Sequence, residues 1–152
     1  MKNLLKYCLI LFVIFGISSS CFAGSLFEGF RGIKWGTNIS YFINDFQYIT
    51  YDGVTSLIQK KDENLTLGSA ELDDIYYYIN VNSKKFVGVY LSFERSEKNI
   101  KEIYNIILKA IGQKETSHSK NNKVYKWDIP PLLVTLMRNR LTINYKKVGK
   151  KA

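Results

Sequence analysis

An enzyme must carry groups that titrate, attack or hold a metal, and this chain has few of them. The acids Glu71, Asp73 and Asp74 fall together. Paired carboxylates serve glycoside hydrolysis, and clustered ones hold calcium. On an extended strand, however, Glu71 and Asp73 share one face and Asp74 takes the other. No Asp-x-Asp-x-Asp-Gly loop accompanies them, so a charged strand end that discourages edge pairing is the favoured role. His118 is the one histidine, set between Ser117 and Ser119 in a polar stretch, which excludes His–His and His–Cys metal spacing. No nucleophile-elbow pattern supports a Ser–His pair, and Gly29, Gly32 and Gly36 match neither nucleotide fingerprint. The inventory favours a binding protein without metal or cofactor over an enzyme. A carbohydrate hydrolase using Glu71 with Asp73 or Asp74 is the last alternative.

Recognition chemistry is better supplied. Tyr76 and Tyr78 alternate with Tyr77, and Tyr90 stands opposite Val89 in a second apolar run. Three tyrosines projecting from one face of adjacent strands suit protein or glycan recognition. Equally, cross-strand aromatic pairs stabilise sheets without binding anything. Trp127 beside Lys126, with Arg138 and Arg140 nearby, makes a second candidate surface.

Charge is unevenly spread. The 152 residues carry 22 Lys+Arg against 13 Asp+Glu, a formal net charge of +9. Residues 24–113 hold ten basic and eleven acidic groups, whereas residues 114–152 hold ten basic groups against Glu115 and Asp128 alone. A patch of that sign attracts anionic lipid or polymer, which gives the alternative of peripheral association through 114–152. Against it, a composition rich in Lys, Asn, Ile and Tyr raises the lysine count without any partner, and the last residues read as a solvated tail.

The first 23 residues read as an address. Lys2 and Lys6 precede the apolar run from Leu9 to Phe15, and Ser18 to Ala23 forms a small-residue exit. That is the layout of a cleaved secretory signal. The run is too short and too broken by Gly16 for a membrane span of about 20 apolar residues. Export to the periplasm or the outside follows as an expectation, and nucleic acid is not an expected partner. Cys21 admits a second reading as the lipidated first residue of a lipoprotein, although Ser18 stands where an apolar side chain belongs. Cleavage after Ala23 removes both cysteines and leaves a single domain, 24–152, that must be stable without disulfides.

The elements that would position these groups follow from periodicity. Phe30 to Trp35 reads as a brief strand, and Ile39, Phe42, Ile43 and Phe46 share one face of a helix after Thr37. Asp52-Gly53 between Tyr48–Tyr51 and Val54–Lys60 predicts a hairpin. Ile75, Tyr77, Ile79 and Val81 alternate, and Val87, Val89, Leu91 and Phe93 answer them across a turn at 82–84. Ser96 caps a second helix with the stripe Ile100, Ile103, Tyr104, Ile107 and Ile111, closed by Gly112. A polar loop, 113–123, precedes three short strands at 124–129, 132–137 and 141–145. The expected class is α+β, two amphipathic helices on one face of an antiparallel sheet, ordered β-α-ββ-ββ-α-βββ.

Several of these segments also carry a resemblance. Phe30-Arg31-Gly32-Ile33-Lys34-Trp35-Gly36-Thr37 and Leu65-Thr66-Leu67-Gly68-Ser69-Ala70-Glu71-Leu72 are two of them. Ile75-Tyr76-Tyr77-Tyr78, Val87-Gly88-Val89-Tyr90-Leu91-Ser92-Phe93 and Tyr125-Lys126-Trp127 continue the pattern. Together they resemble a family of small exported bacterial proteins of unknown function over residues 28–145. The resemblance implies a periplasmic or envelope α+β domain, and it implies no reaction and no catalytic residues.

Overall fold

The computed structural model describes residues 26–146 apart from Asp52 and Asn122. The expected signal segment 1–23, with the lipidation candidate Cys21, and the basic end 147–152 lie outside the described residues.

The chain opens with β1 (Gly29–Phe30) and β2 (Ile33–Lys34), a tight hairpin turning at Arg31-Gly32. The single strand expected from Phe30 to Trp35 is thus folded back on itself. No helix follows. Ile39–Tyr41 and Ile43–Asp45 are two 3-10 turns, each closed by an i to i−3 bond: Phe42 N–H to Ile39 O, and Phe46 N–H to Ile43 O. The expected first helix fails for a tertiary reason. Ile39 N–H donates to Lys84 O, and Lys61 N–H donates to Asp45 O, so both ends are tied to the sheet. The span between the ties is under two turns, too short to repay helix nucleation. Asn38 also accepts from Ser40 N–H, a local bond that competes with the helix. Ile39 is buried, Phe42 is 42% exposed, and Phe46 belongs to the next strand.

β3 (Phe46–Tyr51) and β4 (Thr55–Lys60) form the expected hairpin. The small pair β5 (Thr66–Leu67) and β6 (Ala70–Glu71) precedes β7 (Asp74–Asn80) and β8 (Lys85–Ser92). Ile75, Tyr77 and Ile79 are buried, as their alternation requires. Val87 does not join Val89, Leu91 and Phe93 in the core. A register shift sets Ile79 opposite Phe86 and Tyr78 opposite Gly88, so Phe86 takes the buried place and Val87 is the bulged residue.

A long helix, α1 (Glu97–Ile111), is capped at Ser96, whose hydroxyl accepts from Asn99 N–H, and ends at Gly112 with φ 79°. Ile100, Ile103, Ile107 and Ala110 are its buried stripe, with Tyr104 and Ile111 half-buried. The polar loop contains a further strand, β9 (Ser117–Ser119), which pairs with β10 (Val124–Ile129). β11 (Leu132–Met137) and β12 (Arg140–Tyr145) complete the set.

The expected fold class is therefore corrected. The protein is mostly β: an eight-stranded antiparallel sheet ordered β3-β4-β7-β8-β12-β11-β10-β9, two small two-stranded sheets, and a single long helix among the described residues. α1 packs against β11 and β6. The N-terminal segment joins it on the same face, where Phe30 meets Tyr77 edge-on and Trp35 stacks on Phe86 at 4.6 Å. Both layers therefore cover one side of the sheet. Among the described residues no helix is long and apolar enough to cross a membrane.

Candidate functional site

The opposite face of the sheet is assembled row by row from strand register. Tyr76 on β7 lies opposite Tyr90 on β8, Tyr90 opposite Thr142 on β12, and Thr142 opposite Thr135 on β11. A parallel row runs Leu57, Tyr78, Gly88, Asn144 and Leu133. A third runs Asp74, Ser92, Arg140 and Met137. All alternate with core residues, so all point away from α1. The three tyrosines are half-buried, and the Tyr76 and Tyr90 rings are 5.8 Å apart at 45°. The rings and neutral amide and hydroxyl groups dominate the centre; charges come from Asp74 and Arg140 and, where the rows reach β10, from Lys126 opposite Thr135 and Asp128 opposite Leu133.

Gly88 is required at the middle of this face. A Cβ there would stand 2.7 Å from Ile143 O, 3.1 Å from Asn144 Oδ1 and 3.3 Å from the Tyr78 ring. Its absence lets the Tyr78 ring lean over the backbone. Burial raises the pKa of Tyr78, helped by Tyr90, while Arg140 acts in the opposite sense. Burial likewise raises Tyr76, and the Asp74 carboxylate adds to it. These hydroxyls stay neutral at physiological pH and serve as hydrogen-bond donors and acceptors.

The other expected site residues separate. Arg140 joins the tyrosine face, whereas Arg138 lies exposed in the β11–β12 turn and donates to Asn121 O at 3.4 Å. Trp127 is not at a surface. It is fully buried on the α1 side, its indole N–H donating to Gln113 O at 3.2 Å. Its neighbours Ile129 and Tyr125 share that face by alternation, which the apolar pattern of 124–129 left unresolved. Glu71 and Asp73 are exposed, Glu71 at the end of β6 and Asp73 at the bend between β6 and β7. Asp74 accepts from Gln59 Nε2 at 3.1 Å on the open face. None of the three lines either cleft described below, and among the described residues no group of three or more His, Cys, Asp or Glu side chains is placed to hold a metal.

Comparison with family models, curated proteins and solved structures found no match.

Two groupings were not legible in the sequence. Tyr104 donates to Glu115 Oε2 at 2.7 Å, His118 Nδ1 lies 3.9 Å from Glu115 Oε1, and the His118 ring stacks on Tyr125 at 4.3 Å. The hydrogen bond to Glu115 pushes Tyr104 up to about 12 and holds Glu115 below the usual carboxylate range. A tyrosine that ionises so late is a poor nucleophile, so this trio braces the edge of the sheet. The alternation Ser117-His118-Ser119 before a polar turn was the available signal for β9. The second grouping is half-buried: Tyr77, itself buried, donates to Glu63 Oε2 at 2.7 Å, and Glu63 pairs with Arg31. It ties the first hairpin to the sheet.

A cleft of about 580 Å³ lies near the β3 edge, lined by Ile39, Ile43, Tyr48, Ile79 and Val81 with Lys84. Another, of about 370 Å³, lies between α1 and the β9–β10 hairpin.

Proposed function

We propose that the protein is a non-catalytic binding module, exported to the periplasm or the cell exterior, that captures another protein or an envelope component on the uncovered sheet face. The observation that carries this reading is the juxtaposition of Tyr76, Tyr78 and Tyr90 on the side opposite α1. Tyrosine offers a large, rigid contact area with a polar tip and loses little conformational freedom on binding. The pleat holds the rings in fixed relation, so a partner meets a preorganised surface. The hydrolase alternative draws no support from Glu71 and Asp73, which stand in solvent. Association of 114–152 with anionic lipid or polymer has its best footing at the β9–β10 turn, where Lys120 and Lys123 are exposed.

The test is site-specific photocrosslinking in the intact envelope. A photoreactive residue replacing Tyr90 or Thr142 is expected to capture a discrete partner, and one replacing Lys109 on the solvent side of α1 is not. Capture should persist at 0.5 M salt, because the face carries almost no net charge. Equal labelling from all three positions, or loss of capture in salt, would refute the reading.

A further inference from the structure

We propose that the cleft between α1 and the β9–β10 hairpin binds an acidic saccharide, a pyranose ring carrying a carboxylate, at a site separate from the tyrosine face.

The cleft has a volume of about 370 Å³, within the range of small-molecule sites. Its walls divide by chemistry. From the helix come Lys98 and Lys101, three residues apart and so on one side of α1. Neither is in an ion pair among the described residues. Two ammonium groups so placed repel one another unless an anion lies between them. From the hairpin comes Lys123, held across the opening by Glu97. The apolar part is aromatic: the Tyr104 and Tyr125 rings are 5.0 Å apart at 59°.

Both rings are braced from behind. Glu115 anchors the Tyr104 hydroxyl, His118 stacks on Tyr125, and Trp127 packs 5.6 Å from Tyr104. Because these supports already exist in the free protein, little ordering remains for a ligand to impose. A ligand must satisfy two demands together: negative charge for the lysines and a flat body with an apolar face for the rings. A carboxylated sugar meets both, its C–H face on an aromatic ring and its carboxylate between ammonium groups. Inorganic phosphate lacks the body. A bilayer surface is too flat to enter a recess between a helix and a hairpin.

Glu97 gives the proposal a distinctive test, because its carboxylate occupies Lys123 and adds negative charge at the mouth. Amide chemical shifts of the full chain are followed while trigalacturonate, maltotriose, inorganic phosphate or phosphatidylglycerol vesicles are added. Trigalacturonate is expected to shift residues 98–104 and 123–125, with affinity falling as salt rises. The double variant Lys98→Gln, Lys101→Gln should bind at least tenfold more weakly. Glu97→Gln should bind severalfold more tightly, a gain that damage to the fold does not produce. Absence of trigalacturonate binding, equal binding of maltotriose, or unchanged affinity in the double variant overturns the proposal. So does phosphate binding of equal strength, which would mean charge alone, or vesicle binding that needs Lys98 and Lys101, which would mean a membrane contact. Loss of the tyrosine face by Tyr90→Ala is expected to leave trigalacturonate binding intact.

Discussion

Replacing Gly88 with alanine puts a methyl group where β8 and β12 leave no room. The nearest atom is the Ile143 carbonyl oxygen, 2.7 Å from the new carbon, and that atom belongs to a strand backbone that cannot swing aside. Asn144 Oδ1 and the Tyr78 ring, at 3.1 and 3.3 Å, close the other directions. Ordinarily glycine within a strand is a weakness, and alanine would stabilise by roughly 0.5–1 kcal/mol by restricting the unfolded chain. Overpacking instead costs about 1–3 kcal/mol, so the sign reverses and a net loss of about 1–2 kcal/mol is expected. In urea, with a slope of about 1.5 kcal/mol/M, the midpoint should fall by roughly 1 M. Asn144→Ala in the same background should recover little, because the backbone oxygen remains. Tyr78 must also shift, so near-ultraviolet circular dichroism of the tyrosines should change and capture through the sheet face should weaken. A Gly88→Ala protein whose midpoint equals or exceeds that of the parent would refute the close approach of β8 and β12.

Other expectations follow from named contacts. Glu63→Ala strands the buried Tyr77 hydroxyl and leaves Arg31 only its backbone acceptors Asn64 O and Thr66 O, and thermal melts should show a loss of about 1–3 kcal/mol; Tyr77→Phe, which leaves Arg31 and Glu63 paired, should lose less. The lowered Glu115 pKa means that its bond to Tyr104 stabilises the fold above the ordinary carboxylate range and is lost as pH falls through the folded value. The raised Tyr104 pKa has the opposite sense: its contribution is complete below the ordinary tyrosine value and disappears as pH rises through about 12. Tyrosinate absorbance in a high-pH titration should therefore lose a component that rises near pH 12 in Tyr104→Phe, and Glu115→Gln should move that component to lower pH. Ser96→Ala removes the bond to Asn99 N–H and should cost about 1 kcal/mol by calorimetry. On the edge strand β3, Tyr48 is 67% and Ile49 46% exposed; Ile49→Lys should leave the melting temperature unchanged and raise the concentration at which light scattering reports association.

The parts of the fold that could be read directly are those whose cause is local. α1 announced itself through Ile100, Ile103 and Ile107, a serine cap and a terminal glycine, all within one stretch of chain. The β7–β8 pair did so through alternation and a polar turn. Where the cause was distant, the reading went astray. Ile39, Phe42, Ile43 and Phe46 have helical spacing, yet bonds to Lys84 and Lys61 divide them between turns and a strand. Val87 has the right parity for the core and is displaced by one bulge. Trp127 has basic neighbours in sequence but faces α1, because its strand joins the sheet with that side inward.

The same division runs through the candidate sites. That Tyr76, Tyr78 and Tyr90 share a face was decided by the sequence, since a period of two is a property of each strand. That this face is the uncovered one was decided by α1 and the N-terminal segment packing on the other side, and that Thr142, Asn144 and Arg140 extend it by β12 pairing with β8 across about fifty residues of chain. The acids at 71–74 and the histidine at 118 were visible as residue types, and strand parity already separated Glu71 from Asp74, but only packing gave Asp74 its Gln59 partner and brought His118 to Glu115 and Tyr125. Periodicity and capping are written within a few residues, whereas the exposure of a side chain depends on which distant element covers it.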